Sequence, residues 1–120
     1  MDELLRKGIA LFNNYEFFQC HEVLEEAWGQ EKGPRRLFVQ ALIHVAVGFY
    51  HCQRGNSAGA CGQLRKGLRK LAGYLPSCEH IDIERLHREA TAVLERVEAG
   101  SAVYGYPQIH ASPTPDHCSP

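Results

Sequence analysis

The sequence predicts an all-α fold: a small antiparallel bundle of about five helices built from helical hairpins, with a short irregular C-terminal tail. Three observations carry this. Apolar residues recur at helical spacing in five successive stretches, no stretch shows the alternation of a strand, and Gly, Pro or Asn punctuates the gaps between them. With 120 residues and 44% apolar side chains, the chain can bury a core of its own. The expected division is a helical bundle over residues 1–99 and a Pro/Ser/Gly-rich tail, partly disordered, over residues 100–120.

The first helix is expected over residues 2–13. Leu4, Leu5, Ile9, Leu11 and Phe12 share a face there, and Asp2 and Glu3 suit the positive end of the helix dipole. A second helix, residues 16–28, carries Phe17, Cys20, Leu24, Ala27 and Trp28 on one broad face and stops in the loop 29–34. The third organises the rest. Over residues 37–51 it is apolar on nearly every bearing, and its only polar side chains, Gln40, His44 and His51, share an arc of roughly 40°. A helix apolar all round is a buried one, and this one is shorter than the ~20 residues a bilayer requires, so it belongs at the centre of the bundle.

A fourth helix is expected over residues 57–74, with Cys61, Leu64, Leu68, Leu71 and Leu75 as its stripe and Arg65, Lys66, Arg69 and Lys70 opposite. Pro76 breaks it. Asp82 then caps a fifth, whose buried edge is Ile83, Leu86, Ala90, Val93, Leu94 and Val97. In the tail, Tyr104, Tyr106 and Ile109 can lie against the bundle, and disorder is expected from Ala111 onward. Gly8, Leu11, Cys20, Leu24 and Ala27 are spaced like the packing positions of a tetratricopeptide hairpin, and residues 48–71 resemble a second unit. Two units are fewer than a solenoid needs, so the reading is helix pairs rather than an array.

Composition excludes several function classes. A net charge of −1 gives no global bias toward nucleic acid or a membrane. The basic side of the fourth helix has no interleaved aromatic platform, which argues against a nucleic-acid partner. The acidic, amphipathic start is unlike a secretory leader, and a cytoplasmic location is expected. Five cysteines make an odd set without a Cys-x-x-Cys pair, so reduced thiols are expected rather than a disulfide framework or a zinc ribbon. Neither a glycine-rich phosphate loop nor a nucleophile elbow is present.

Candidate chemistry lies on the second and third helices. Projection places His21 and Glu25, an i, i+4 pair, inside the apolar arc of the second helix, opposite Gln40 and His44 of the central one. Such pairs on neighbouring helices can build a divalent-metal site, here from His21, Glu25 and His44, and a metal-dependent enzyme of hydrolase type is one reading. The chain lacks His-Glu-x-x-His and the Glu-x-x-His order of di-iron bundles. A second reading makes the same groups a hydrogen-bonded network that fixes helix register or lines a small-ligand pocket. A third is an interaction module with tetratricopeptide-like hairpins, able to form a homodimer.

A wider signature runs through Phe12-Asn13, Phe17-Phe18, His21-Glu22-x-x-Glu25-x-x-Trp28, Phe38-x-Gln40-x-Leu42-Ile43, Tyr50-His51 and Arg54-Gly55-Asn56. Over residues 5–75 this resembles the small helical prokaryotic proteins grouped as domain of unknown function (DUF) 309. The resemblance implies an all-helical bundle, no established activity, and a polar cluster of His21, Glu22, Glu25, Trp28, Gln40 and His51. Cys20, Ala41 and His44 stand where that family more often has alanine, glycine and glutamine. The last departure favours a network over a metal site at His44.

Overall fold

The computed structural model describes residues 2–113. Five helices follow one another: α1 (Glu3–Asn13), α2 (Phe17–Gln30), α3 (Pro34–Gln53), α4 (Ser57–Leu71) and α5 (Ile83–Glu98). Their main contacts run in chain order, α1 on α2, α2 on α3, α3 on α4 and α4 on α5. Side chains cap three of the helix starts, among them the expected cap Asp82. Asp2 accepts a hydrogen bond from the Leu5 amide, Asn56 from Gly59 and Asp82 from Arg85, and each satisfies an otherwise orphaned helix N–H. Pro34 takes the first position of α3, where its fixed φ and missing N–H cost nothing. This explains why α3 starts three residues before its apolar run.

The central helix is buried along most of its length, with Val39, Ala41, Leu42, Val45, Ala46 and Phe49 fully enclosed. Two glycines let α4 approach it. A Cβ at Gly48 would lie 2.7 Å from Leu64 Cγ, and one at Gly67 would lie 2.8 Å from Val45 Cγ2. Gly8 plays the same part between α1 and α2, where a Cβ would meet Leu24 at 2.6 Å. Small residues at these crossings are what the tetratricopeptide-like spacing reflects. Among the described residues, no helix is long and apolar enough to cross a membrane.

Between α4 and α5 the chain makes a short helical turn (Ala72–Tyr74) and a two-stranded antiparallel hairpin, β1 (Ser77–Cys78) with β2 (Ile81–Asp82). Two-residue strands leave no periodicity to read, so the sequence predicts none. Glu79 and His80 turn the hairpin in the left-handed region, at φ 54° and 62°. Cys20, Cys52 and Cys61 are free thiols, whereas Cys78 is disulfide-bonded, contrary to the expectation of reduced cysteines throughout.

After α5, Gly100 adopts φ 72° and ends the helix, with its amide on the Val97 carbonyl. Residues 103–111 then return across the bundle as an irregular strap. Tyr106 packs against Phe17 and Phe49, Ile109 is buried, and Tyr104 stays 89% exposed. The composition predicts disorder from Ala111, yet Ala111 bridges to Ile81 and the Ser112 amide reaches the His80 carbonyl. The rest of that expectation, beyond Pro113, lies outside the described residues.

Candidate functional site

α2 and α3 pack antiparallel, and side chains from both meet along one open face. At one end Phe18 of α2 contacts Tyr50 of α3, ring centroids 5.4 Å apart. At the other, the guanidinium of Arg36 sits 3.8 Å over the Trp28 ring, a cation–π contact. On this face Phe18 and Glu25 are exposed, and His21 and Trp28 are half-buried. Phe18 is 44% exposed, an uncommon setting for a phenylalanine.

Between the two ends lies the His21–Glu25 couple. His21 Nδ1 is 2.9 Å from the Phe18 carbonyl oxygen, which can only accept, so this nitrogen carries the proton. In the neutral ring Nε2 is then a bare acceptor, and it lies 3.5 Å from Glu25 Oε1. Two acceptors face the same small volume of solvent, beside the Phe18 ring at 5.3 Å. A positively charged or N–H-bearing group placed there would satisfy both at once.

The other candidates fall elsewhere on these helices. His44 Nδ1 is 2.8 Å from Gln63 Oε1 of α4, so it faces away from α2 and donates into the α3–α4 seam. His51 Nδ1 is 3.4 Å from Asn56 Nδ2, whose own Oδ1 caps α4, which makes His51 Nδ1 the acceptor. Gln40 is half-buried one turn before His44 and is not joined to the His21–Glu25 couple. Glu22 is exposed. Glu25, expected to face the core, is 57% exposed on its side chain. Projection gives bearings about one axis, but which bearings a neighbouring helix covers is a tertiary fact.

His21, Glu25 and His44 therefore do not converge. Among the described residues no three His, Cys, Asp or Glu side chains come together as a metal site would need. Sequence reasoning missed Arg36, and it gave Arg54 only as part of the Arg54-Gly55-Asn56 signature. Arg54, the C-cap of α3, lies 5.6 Å over the ring of Tyr50 one turn earlier on the same helix, whereas the Arg36–Trp28 contact joins α3 to α2 and is visible only once their pairing is known.

Known proteins resemble this chain over much of its length. The chain is 34% identical over 91 residues to the uncharacterized protein YpuF of Bacillus subtilis (strain 168), an overlap of 72% of this chain and 52% of that protein. It is 25% identical over 100 residues to an uncharacterized protein of Aquifex aeolicus (strain VF5), covering 82% of this chain and 30% of that protein. The chain thus spans about half, and less than a third, of the length of these two relatives. Residues 5–62, from α1 into α4, match the family model described as Domain of unknown function (DUF309), so over this stretch the chain is similar to that family.

Proposed function

We propose that this domain is a binding module, and that the α2–α3 face recognises a partner or small ligand through a cationic hydrogen-bond donor such as an amine or guanidinium. The observation that carries the reading is the acceptor pair of His21 Nε2 and Glu25 Oε1, 3.5 Å apart beside the exposed Phe18. An incoming N–H group bonds both acceptors, while the Phe18 and Tyr50 rings supply apolar area and a quadrupole for its charge. Trp28 with Arg36, and Tyr50 with Arg54, bracket the face and fix its two ends. A cytoplasmic setting is part of this reading. The free thiols of Cys20, Cys52 and Cys61 support it, and the disulfide at Cys78 stands against it.

The test is a titration of isotope-labelled full-length chain with argininamide and lysinamide, followed by NMR. Shift changes should concentrate at Phe18, His21, Glu25 and Tyr50 and vanish in Glu25→Gln, which keeps the shape but removes the charge. Changes scattered evenly over the surface, or unaltered in Glu25→Gln, overturn the reading.

A further inference from the structure

Two free thiols come together where α3 ends and α4 begins. The two helices run antiparallel, with Gly48 against Leu64 and, nearer their connection, His51 against Gly59. A Cβ at Gly48 would lie 2.7 Å from Leu64 Cγ, and one at Gly59 would lie 3.0 Å from His51 Cδ2. Cys52 stands one turn after Gly48 on α3, and Cys61 one turn before Leu64 on α4, so this register brings both to the same level of the seam. Both are half-buried free thiols, and each feels the other's charge: burial first, and then the neighbouring Cys61, push the Cys52 thiol up to about 11. Cys20 is fully buried and Cys78 is tied in a disulfide, so among the described cysteines this pair alone is both free and within reach of solvent.

Cys52 opens onto a cavity of about 230 Å³ between the end of α3, the end of α5 and the strap. Val97, Gly100, Ala102, Val103 and Tyr106 form much of its wall, and its described lining residues include neither a carboxylate nor an imidazole. The strap side of the wall is held in place. The Asn13 side chain accepts from the Ile109 amide at 2.6 Å and donates to the Ile109 carbonyl at 3.0 Å, and the Tyr15 hydroxyl donates to the Tyr106 carbonyl at 2.8 Å. One cation stands close by. Arg65 lies one turn after Cys61 and 2.6 Å from Glu98 of α5; Glu98 first, and Cys61 to a lesser degree, raise the pKa of its guanidinium. Sulfur donors without hard anionic neighbours select soft cations over hard ones.

We propose that Cys52 and Cys61 bind a soft, closed-shell monovalent cation, Cu(I) foremost, as a two-coordinate dithiolate. The ion displaces both thiol protons, which leave to water, and two copper–sulfur bonds form. Two neutral thiols and one cation thus become a singly negative complex and two free protons, with no change of oxidation state. Repulsion between two neighbouring thiolates otherwise keeps the protons on sulfur, and a cation between them removes it. A zinc site takes three or four protein ligands, and among the described residues no three His, Cys, Asp or Glu side chains gather. Linear coordination by two thiolates needs no third. Arg65 offsets the negative charge that remains.

The experiment titrates the full-length protein, without oxygen or added thiol, into Cu(I) held by bathocuproine disulfonate and follows loss of the coloured chelate. The wild type should withdraw one Cu(I) per chain, and X-ray absorption at the copper edge should count two sulfur neighbours. Cys52→Ser and Cys61→Ser should each weaken the transfer at least about 100-fold, because each loses a second ligand that binds intramolecularly. A measurement on the wild type alone removes any dependence on how those variants fold: bound Cu(I) should shield both Cys52 and Cys61 from iodoacetamide, as read by peptide mass spectrometry. The proposal is overturned by a wild type that withdraws no copper, by a sulfur count other than two, or by copper held while either cysteine still alkylates. Binding that survives either substitution overturns it as well, as does displacement of the copper by excess Zn(II).

Discussion

Arg35 Nε donates to Glu79 Oε1 at 3.0 Å, joining the start of α3 to the β-hairpin turn 44 residues later. The same guanidinium pairs with Asp2, the N-cap of α1, and with Glu31 in the α2–α3 loop. One half-buried cation thus gathers three carboxylates from three separate parts of the chain. The arrangement holds the left-handed turn at Glu79 against the bundle and keeps the cap of α1 in place.

Replacing Arg35 with Met keeps the aliphatic stem and removes the charge. All three carboxylates then lose their partner, and the expected cost is about 1 to 3 kcal/mol, because hydrogen bonds to charged groups exceed exposed ion pairs in worth. Urea denaturation would measure it. A change within error would mean that solvent already satisfies these carboxylates.

Asp2 gives this hub a pH dependence. Burial pushes its carboxyl up, but the Leu5 amide and the Arg35 guanidinium outweigh burial and hold it below the ordinary 3.8. A carboxyl lowered on folding binds fewer protons in the native state, so stability rises with pH. Its contribution is complete above 3.8 and fades as pH falls through the lower native value. The stability gap between the wild type and Asp2→Asn should therefore close on acidification, as read from denaturation curves at several pH values.

The glycines of α4 separate packing from propensity. Gly67→Ala places a methyl 2.8 Å from Val45 Cγ2 and 3.1 Å from the Val45 backbone nitrogen, so α3 and α4 must part, at about 1 to 3 kcal/mol. Gly62, on the same helix, has nothing within 4 Å of its added Cβ. Gly62→Ala should instead stabilise by about 0.5 to 1 kcal/mol, the usual helix-propensity gain. Opposite signs in thermal melts are the expected outcome.

Glu25→Ala should leave stability within about 0.5 kcal/mol, since the His21 couple is solvated and an exposed pair contributes little. This variant removes a binding group without disturbing the scaffold, and equilibrium unfolding would reveal a larger loss if the couple were structural.

Cys20 is fully buried, and burial pushes its thiol up to about 12, with only the Phe12 backbone contact acting the other way. The thiolate is the reactive form. In folded protein near neutral pH, Cys20 should resist alkylation at least about ten-fold relative to Cys61, with peptide mass spectrometry as the readout.

Much of the fold was legible because it depends on local rules. Asp2, Asn56 and Asp82 are caps wherever they precede an apolar run, and the all-round apolarity of α3 could only mean a central helix. What escaped needed partners distant in sequence. The two-residue strands exist because Ser77 and Asp82 face each other, and the strap is ordered because Asn13 meets Ile109. The candidate site was half-legible for the same reason. The i, i+4 spacing of His21 and Glu25 identified the couple, but its exposure depends on where α1 and α3 end, and His44 turned to Gln63 because α4 lies nearer that bearing than α2 does.

Packing between consecutive helices also sets an order of events. Contacts that close over short sequence separations form quickly, so α1 to α5 can settle one after another as the chain leaves the ribosome. The Asn13–Ile109 clamp cannot, because its partners are 96 residues apart. Until residue 109 has been made, Tyr15, Phe17 and Phe49 lack the Tyr106 ring that packs against them in the finished bundle. The strap, made after every helix, is thus what seals the first of them, and a premature stop within it would release a folded but adhesive product.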